Sequence, residues 1–228
     1  MKTHKQSAFT LIELLVVISI IAIIAAMAMP AFTSIMARGR QTDQMNNGRS
    51  IYLAMRNYAS ETSHGGAFPS YKDPDDANTA LATTNDLGEV LVPRYLDAKG
   101  AFYNKASAWC KLVAKEVSTA NQVLSGECDW CYVTGLKDTT DSRWPILANA
   151  FANPGSPTYV KDTTKPGGVW KGEKAIVIYA GGTAEIAETS NKSEATFVKR
   201  PDRPGSNAFE PDETWLNGDG VKVLYPKK

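Results

Sequence analysis

The stretch from Phe9 to Met29 is apolar except for Thr10, Glu13 and Ser19. Its length matches the roughly 20 residues that an α-helix needs to cross about 30 Å of hydrocarbon. Between Lys5 and Arg38, Glu13 is the one charged residue. A carboxylate at mid-membrane costs on the order of 2–3 kcal/mol by insertion scales, so such a residue has a partner or a task. The segment therefore commits the first helix to lipid and poses the question of what Glu13 meets there.

A cleaved secretory signal is the competing reading, because Ala25, Ala26 and Ala28 supply the small residues of a cleavage site. Such signals have a shorter apolar region, about 7–15 residues. Here the pattern also resumes after Pro30: Phe32, Ile35, Met36, Met45, Ile51, Tyr52, Met55 and Tyr58 mostly recur at helical spacing. A single helix from Phe9 to about Ser60 is the expectation, about 75 Å long at 1.5 Å per residue. Pro30 removes a backbone donor and is expected to kink it. Gly39 and Gly48 are expected to permit local flexing. Charge does not orient the span, since Lys2 and Lys5 before it are matched by Arg38 and Arg40 after it.

The run KQSAFTLIELLVVISIIAIIAAMAMPAF, Lys5 to Phe32, resembles the prepilin signal of type IV pilins and type II secretion pseudopilins. The resemblance implies a cytoplasmic leader over residues 1–8 and cleavage by a prepilin peptidase between Ala8 and Phe9. It further implies N-methylation of the new amine at Phe9, a transmembrane and polymerisation helix over 9–30, and a kink at Pro30. Glu13 would be the assembly residue. The chain has Ala8 where the family has glycine before the cut. Further on, LVPRYLDAKGAFYNKASAWC, YVTGLKDTTDSRWPILAN and KAIVIYAGGTAEIAE are similar to the heads of a pseudopilin-like group, which carries an aspartate where this chain has Gly181–Gly182.

A free α-amine at Phe9 would be charged near neutral pH, with a pKa of about 7.7–8.0, and would also lie in lipid. Opposite charges at close range offset much of each other's desolvation cost when their hydrogen bonds are good. The resemblance assigns Glu13 of one subunit to the Phe9 amine of its neighbour, which would fix register in a helical filament. The alternative is internal: Glu13 folds back on its own amino terminus, or complements the positive end of its helix.

After an amphipathic continuation over 31–61, the composition changes. SETSHGGAFPSYKDPDDANTALATTND, Ser60 to Asp86, is rich in turn formers and reads as a long loop. LGEVLVPRYL, Leu87 to Leu96, fits either a short helix broken near Pro93 or a strand and turn. AIVIYAGGTAEIAE reads as a hairpin turning at Gly181–Gly182. CYVTGL, WPILANAF and VKVLY add strands. The expected fold is α+β: a long kinked N-terminal helix, transmembrane in its first half, with a small antiparallel sheet in a head spanning 62–228. The stripe Ile51, Tyr52, Met55 and Tyr58 is what that sheet should cover.

Cys110, Cys128 and Cys131 form a C-x17-C-x2-C pattern. A zinc site using His64 as fourth ligand is one reading. A disulfide from Cys110 to Cys128 or Cys131 suits an extracytoplasmic head better. A redox pair Cys128–Cys131 lacks the usual βαβ context. Near the C-terminus, EPDETWLNGDG gathers the hard oxygens that calcium takes, with Asp212, Glu213 and Asp219 as candidate ligands beside Glu210 and the Asn217 amide. Related major pseudopilins hold calcium in such a loop, so the resemblance adds to that reading; a solvated acidic turn without a metal is the alternative and the preferred reading, and no other cofactor is expected.

The 25 basic and 24 acidic residues give a net charge of +1 without blocks of like charge, which argues against nucleic-acid binding. No nucleophile elbow or phosphate loop is present, so catalysis is not expected. The resemblance implies a structural subunit of a type II secretion pseudopilus or type IV pilus. Its partners would be its own copies and other pseudopilins, a prepilin peptidase and methylase, an inner-membrane assembly platform and the lipid bilayer. The location would be the bacterial inner membrane, single-pass with a periplasmic head, and then the filament. The competing function is a membrane-anchored extracytoplasmic binding module or exported enzyme on a pilin-type anchor.

Overall fold

The computed structural model describes residues 10–73, 75–111, 122–190, 195–218 and 220–227. The chain forms an N-terminal helix and a C-terminal antiparallel sheet, an α+β architecture. Two compact units divide at Arg40 and Gln41. The first helix, α1 (Leu11–Ser60), begins in the first unit and ends in the second.

Within the first unit, α1 is clothed in apolar side chains up to Met36 and nothing of it is buried: among its large apolar side chains Leu11 is 81 % exposed and Met36, the lowest, 46 %. A helix with no polar face suits lipid or sister helices, and by length and composition this one can cross a membrane. α1 passes through Pro30 without a break in the helix. Hydroxyls serve the carbonyls of this unit from inside the helix: Ser19 Oγ donates to the Leu15 oxygen at 2.8 Å, Thr33 Oγ1 to Pro30 at 2.9 Å and Ser34 Oγ to Ala31 at 2.8 Å. Such back-bonding keeps polar side chains satisfied where water is absent.

In the second unit, the expected stripe of α1 is buried, with Ile51 and Met55 at 0 % exposure and Tyr52 and Tyr58 alongside. It lies against a five-stranded sheet built from β1 (Trp130–Thr134), β2 (Pro145–Asn149), β4 (Lys174–Tyr179), β5 (Ala184–Glu188) and β7 (Lys222–Leu224), in the order β5-β4-β2-β1-β7. All pairings are antiparallel, with Trp130 opposite Asn149, Val133 opposite Val223 and Ile176 opposite Ile186. β1 and β2 are buried along their full length, and so is β4 after Lys174. This explains why their sequences run apolar instead of alternating. A second small sheet pairs β3 (Tyr159–Val160) with β6 (Ala195–Thr196).

Gly48 is where the helix comes down onto the sheet, and this corrects the expectation of flexing there. A Cβ at that position would lie 2.6 Å from Trp130 Cη2 and 2.9 Å from the Ile178 side chain, so glycine is required for close approach. Gly39 has open space around it and remains helical.

The β4–β5 hairpin forms as expected, although one glycine carries the turn: Gly182 has φ +83°, while Gly181 is needed because a Cβ there would lie 2.7 Å from Ser142 Cβ. The expected loop from Ser60 to Asp86 ends in a helix instead. α2 (Thr84–Leu91) starts inside it, and the Asp86 carboxylate accepts from the Thr83 N–H at 2.8 Å and the Ala82 N–H at 3.0 Å. Those bonds satisfy amides at the helix start. Of the two readings for Leu87 to Leu96, the helix is the one that forms, stopping before the cis Val92–Pro93 bond.

Candidate functional site

The amino-terminal turn of α1 is organised by two side chains. Thr10 N–H donates to Glu13 Oε2 at 2.9 Å, Thr10 Oγ1–H donates to the same oxygen at 2.7 Å, and Glu13 N–H donates to Thr10 Oγ1 at 3.3 Å. This reciprocal arrangement is a capping box: the carboxylate satisfies an amide that has no partner within the helix, and its negative charge stands at the positive end of the helix dipole. The intramolecular role considered for Glu13 is thus present in the isolated chain. Both bonds to the carboxylate fall on Oε2, around a group that is exposed on an apolar helix. Ala8 and Phe9, the expected cleavage and methylation positions, lie outside the described residues.

Residues 3–29 match the protein family described as the prokaryotic N-terminal methylation motif. This chain carries a prepilin-type methylation motif. The motif covers Ala8, Phe9 and Glu13 together with the whole apolar stretch to Met29. The chain is similar to the type IV major pilin protein PilA of Myxococcus xanthus, with 40 % identity over 57 residues, which is 25 % of this chain and 26 % of that protein. It is also similar to the fimbrial protein EcpC of Eikenella corrodens, with 37 % identity over 79 residues, 35 % of this chain and 47 % of that protein. The matches thus span about a quarter and about half of the relatives' lengths. No solved structure matches.

Beyond the prepilin-type motif, the other expected sites resolve differently. Cys110, Cys128 and Cys131 are all buried and carry free thiols, so the expected disulfide is not formed in this structure. Two of the sulfurs are engaged with the backbone instead: Cys128 Sγ donates to the Trp130 oxygen at 3.6 Å and Cys131 Sγ accepts from the Phe151 N–H at 3.4 Å. Burial pushes all three thiols up, Cys110 to about 12. Among the described residues no group of three or more His, Cys, Asp or Glu side chains is placed to hold a metal, so a zinc site with His64 is not assembled. His64 is stacked on Tyr58, ring centroids 3.7 Å apart and planes 5° from parallel, and its Nδ1–H donates to the Tyr58 oxygen at 2.6 Å. Both residues line a cleft of about 330 Å³ with Phe68, Tyr71 and Lys137.

Of the calcium candidates, Asp219 lies outside the described residues and Glu213 is exposed. Asp212 has its oxygens occupied: Oδ1 accepts from the Thr214 N–H at 2.8 Å and the Thr214 hydroxyl at 3.0 Å, and Oδ2 accepts from the Arg200 guanidinium. The Thr214 amide is the main cause that brings Asp212 down to about 2, against desolvation and with help from the Thr214 hydroxyl and Arg200. The Asn217 amide donates to the Glu213 carbonyl at 2.7 Å. Of these candidates, Asp212 is the one whose carboxylate is engaged with a cation of the chain itself, Arg200.

Sequence reading missed two groups. Arg200 is 2 % exposed and bound to two carboxylates. Asp129 is fully buried, accepting from Asn104 Nδ2 at 2.5 Å and Asn149 Nδ2 at 3.3 Å. Its Oδ1, like the indole nitrogen of Trp109, has no hydrogen-bond partner among the described residues. Burial lifts Asp129 to about 7, against the lowering influence of Asn104, Asn149 and the nearby Trp109.

Proposed function

We propose that this chain is a filament subunit of the pilin and pseudopilin class. It is cut between Ala8 and Phe9 by a prepilin peptidase, methylated on the Phe9 amine, held in the inner membrane by α1 with its head in the periplasm, and passed by an assembly platform into a helical filament of its own copies and related subunits. The observation that carries this reading is a single acid, Glu13, on a helix segment exposed and apolar on every side, inside a matched methylation motif. A capping role alone gives no reason for an apolar surface around the carboxylate, whereas a neighbouring helix that brings a free amine gives both a purpose. The two relatives are named as a type IV major pilin and a fimbrial protein, which supports a surface fibre over a secretion pseudopilus.

The test is Glu13→Val. The expected result is a processed, membrane-resident chain that yields no sheared filaments, and normal filament yield would sink the assignment. Mass spectrometry of the mature chain should show N-methyl-phenylalanine at Phe9. A chain that still begins at Met1 would overturn the processing step.

A further inference from the structure

We propose that Arg200 is a built-in cation for the C-terminal loop, so that residues 200–217 close without calcium. The guanidinium makes a two-pronged contact with Asp202, Nε–H to Oδ1 at 3.0 Å and an Nη2–H to Oδ2 at 2.7 Å. Its Nη1–H donates to Asp212 Oδ2. The group lies over the Trp215 ring, with Cζ 4.5 Å from the centroid. Arg200 therefore has a carboxylate along one edge, a second carboxylate at its tip and an aromatic ring close to its central carbon. This uses the planar, delocalised character that distinguishes Arg from a point charge.

The loop is folded around this group. Arg200 N–H donates to the Ser206 oxygen at 3.0 Å, Ala208 N–H to Val198 at 2.8 Å, and Asp212 N–H to Trp215 at 2.9 Å. Trp215 is buried and its indole N–H donates to the Ala208 oxygen at 2.8 Å. A calcium ion needs six to eight oxygens, several of them anionic, at about 2.3–2.6 Å. To serve it through Oδ2, Asp212 would have to leave Arg200, and the positive guanidinium beside it would repel a divalent ion. The donor set among the described residues therefore does not fit calcium, and the positive charge that a metal would bring is already supplied by the chain. This inference is independent of the filament reading, since it concerns how the head closes.

The experiment uses the full chain in detergent micelles. Thermal unfolding and amide exchange at Thr214 and Trp215 are measured with millimolar calcium and with a chelator, for the natural chain, Arg200→Lys and Arg200→Ala. The natural chain should show the same unfolding temperature and exchange rates in both conditions. Arg200→Lys keeps the charge but loses the fork, and should exchange at these two amides about tenfold faster or more. Arg200→Ala should exchange faster still, or fail to fold, as expected for a cation that the loop requires. A calcium-dependent rise in the natural chain's unfolding temperature overturns the proposal. So does unchanged exchange in Arg200→Lys.

Discussion

Gly48 of α1 and Trp130 of β1 touch so closely that one added methyl group would lie 2.6 Å from the indole ring. Trp130 cannot retreat easily, being fully buried with its Nε1–H donated to the Ala101 oxygen at 3.0 Å. Alanine at an exposed helix position gains about 1 kcal/mol over glycine, whereas overpacking a core costs about 1–3 kcal/mol. Gly48→Ala should therefore lower stability, and Gly39→Ala, where nothing lies within 4 Å, should raise it. Urea unfolding of the two variants against the natural chain checks the opposite signs.

Thr10 should matter through Glu13. Removing its hydroxyl in Thr10→Val deletes the bond to Oε2 and costs about 1 kcal/mol of cap, an effect of about fivefold on an equilibrium. The expected outcome is a processed chain with a several-fold lower filament yield, restored by Thr10→Ser. Sheared-filament yield, with mass spectrometry of the amino terminus as control, reads both.

Stability should fall as pH rises from about 4 to 7. The folded state lifts Asp129 to about 7, while the unfolded carboxyl titrates near 3.9. Between those values the folded chain holds a proton that the unfolded chain has lost, so the unfolded state gains with pH. The stabilisation is complete below the unfolded value and gone above the folded one, on the order of 4 kcal/mol in all. Asp212, lowered to about 2, works in the opposite direction and only on the acid side of pH 4. Asp129→Asn should flatten the slope between pH 4 and 7 in chemical unfolding measured across that range.

The three cysteines give a direct count. With every thiol buried and Cys110 pushed up to about 12, a water-soluble thiol reagent should label the native chain slowly and label all three after denaturation without reductant. Labelling of a single thiol after denaturation would show that a bridge had formed.

What was legible in the sequence follows from physics that acts locally. The lipid-facing part of α1 declares itself because every side must be apolar, and the β4–β5 hairpin because Gly182 stands between two β-rich runs. The buried stripe at Ile51, Tyr52, Met55 and Tyr58 was legible by spacing. The start of α2 was hidden because Thr84, Asn85 and Asp86 look like a loop, although Thr83 and Asp86 at capping spacing carried the signal. β3 and β6 are two residues each and leave no periodicity. Arg200 could not be found because its partners depend on how the loop folds back over Trp215. Asp129 was invisible for a related reason: burial of a carboxylate is decided by distant strands, here through Asn104 and Asn149.

Tyr52 offers a last consequence. Its hydroxyl donates to the Ala180 oxygen at 2.7 Å, and Gly182 sits so near its ring that a Cβ would come within 2.9 Å. The helix is therefore latched to the tip of the β4–β5 hairpin as well as seated on the sheet. Tension on residues 41–60 would load that turn directly, and Tyr52→Phe would remove the latch while keeping the ring in its seat.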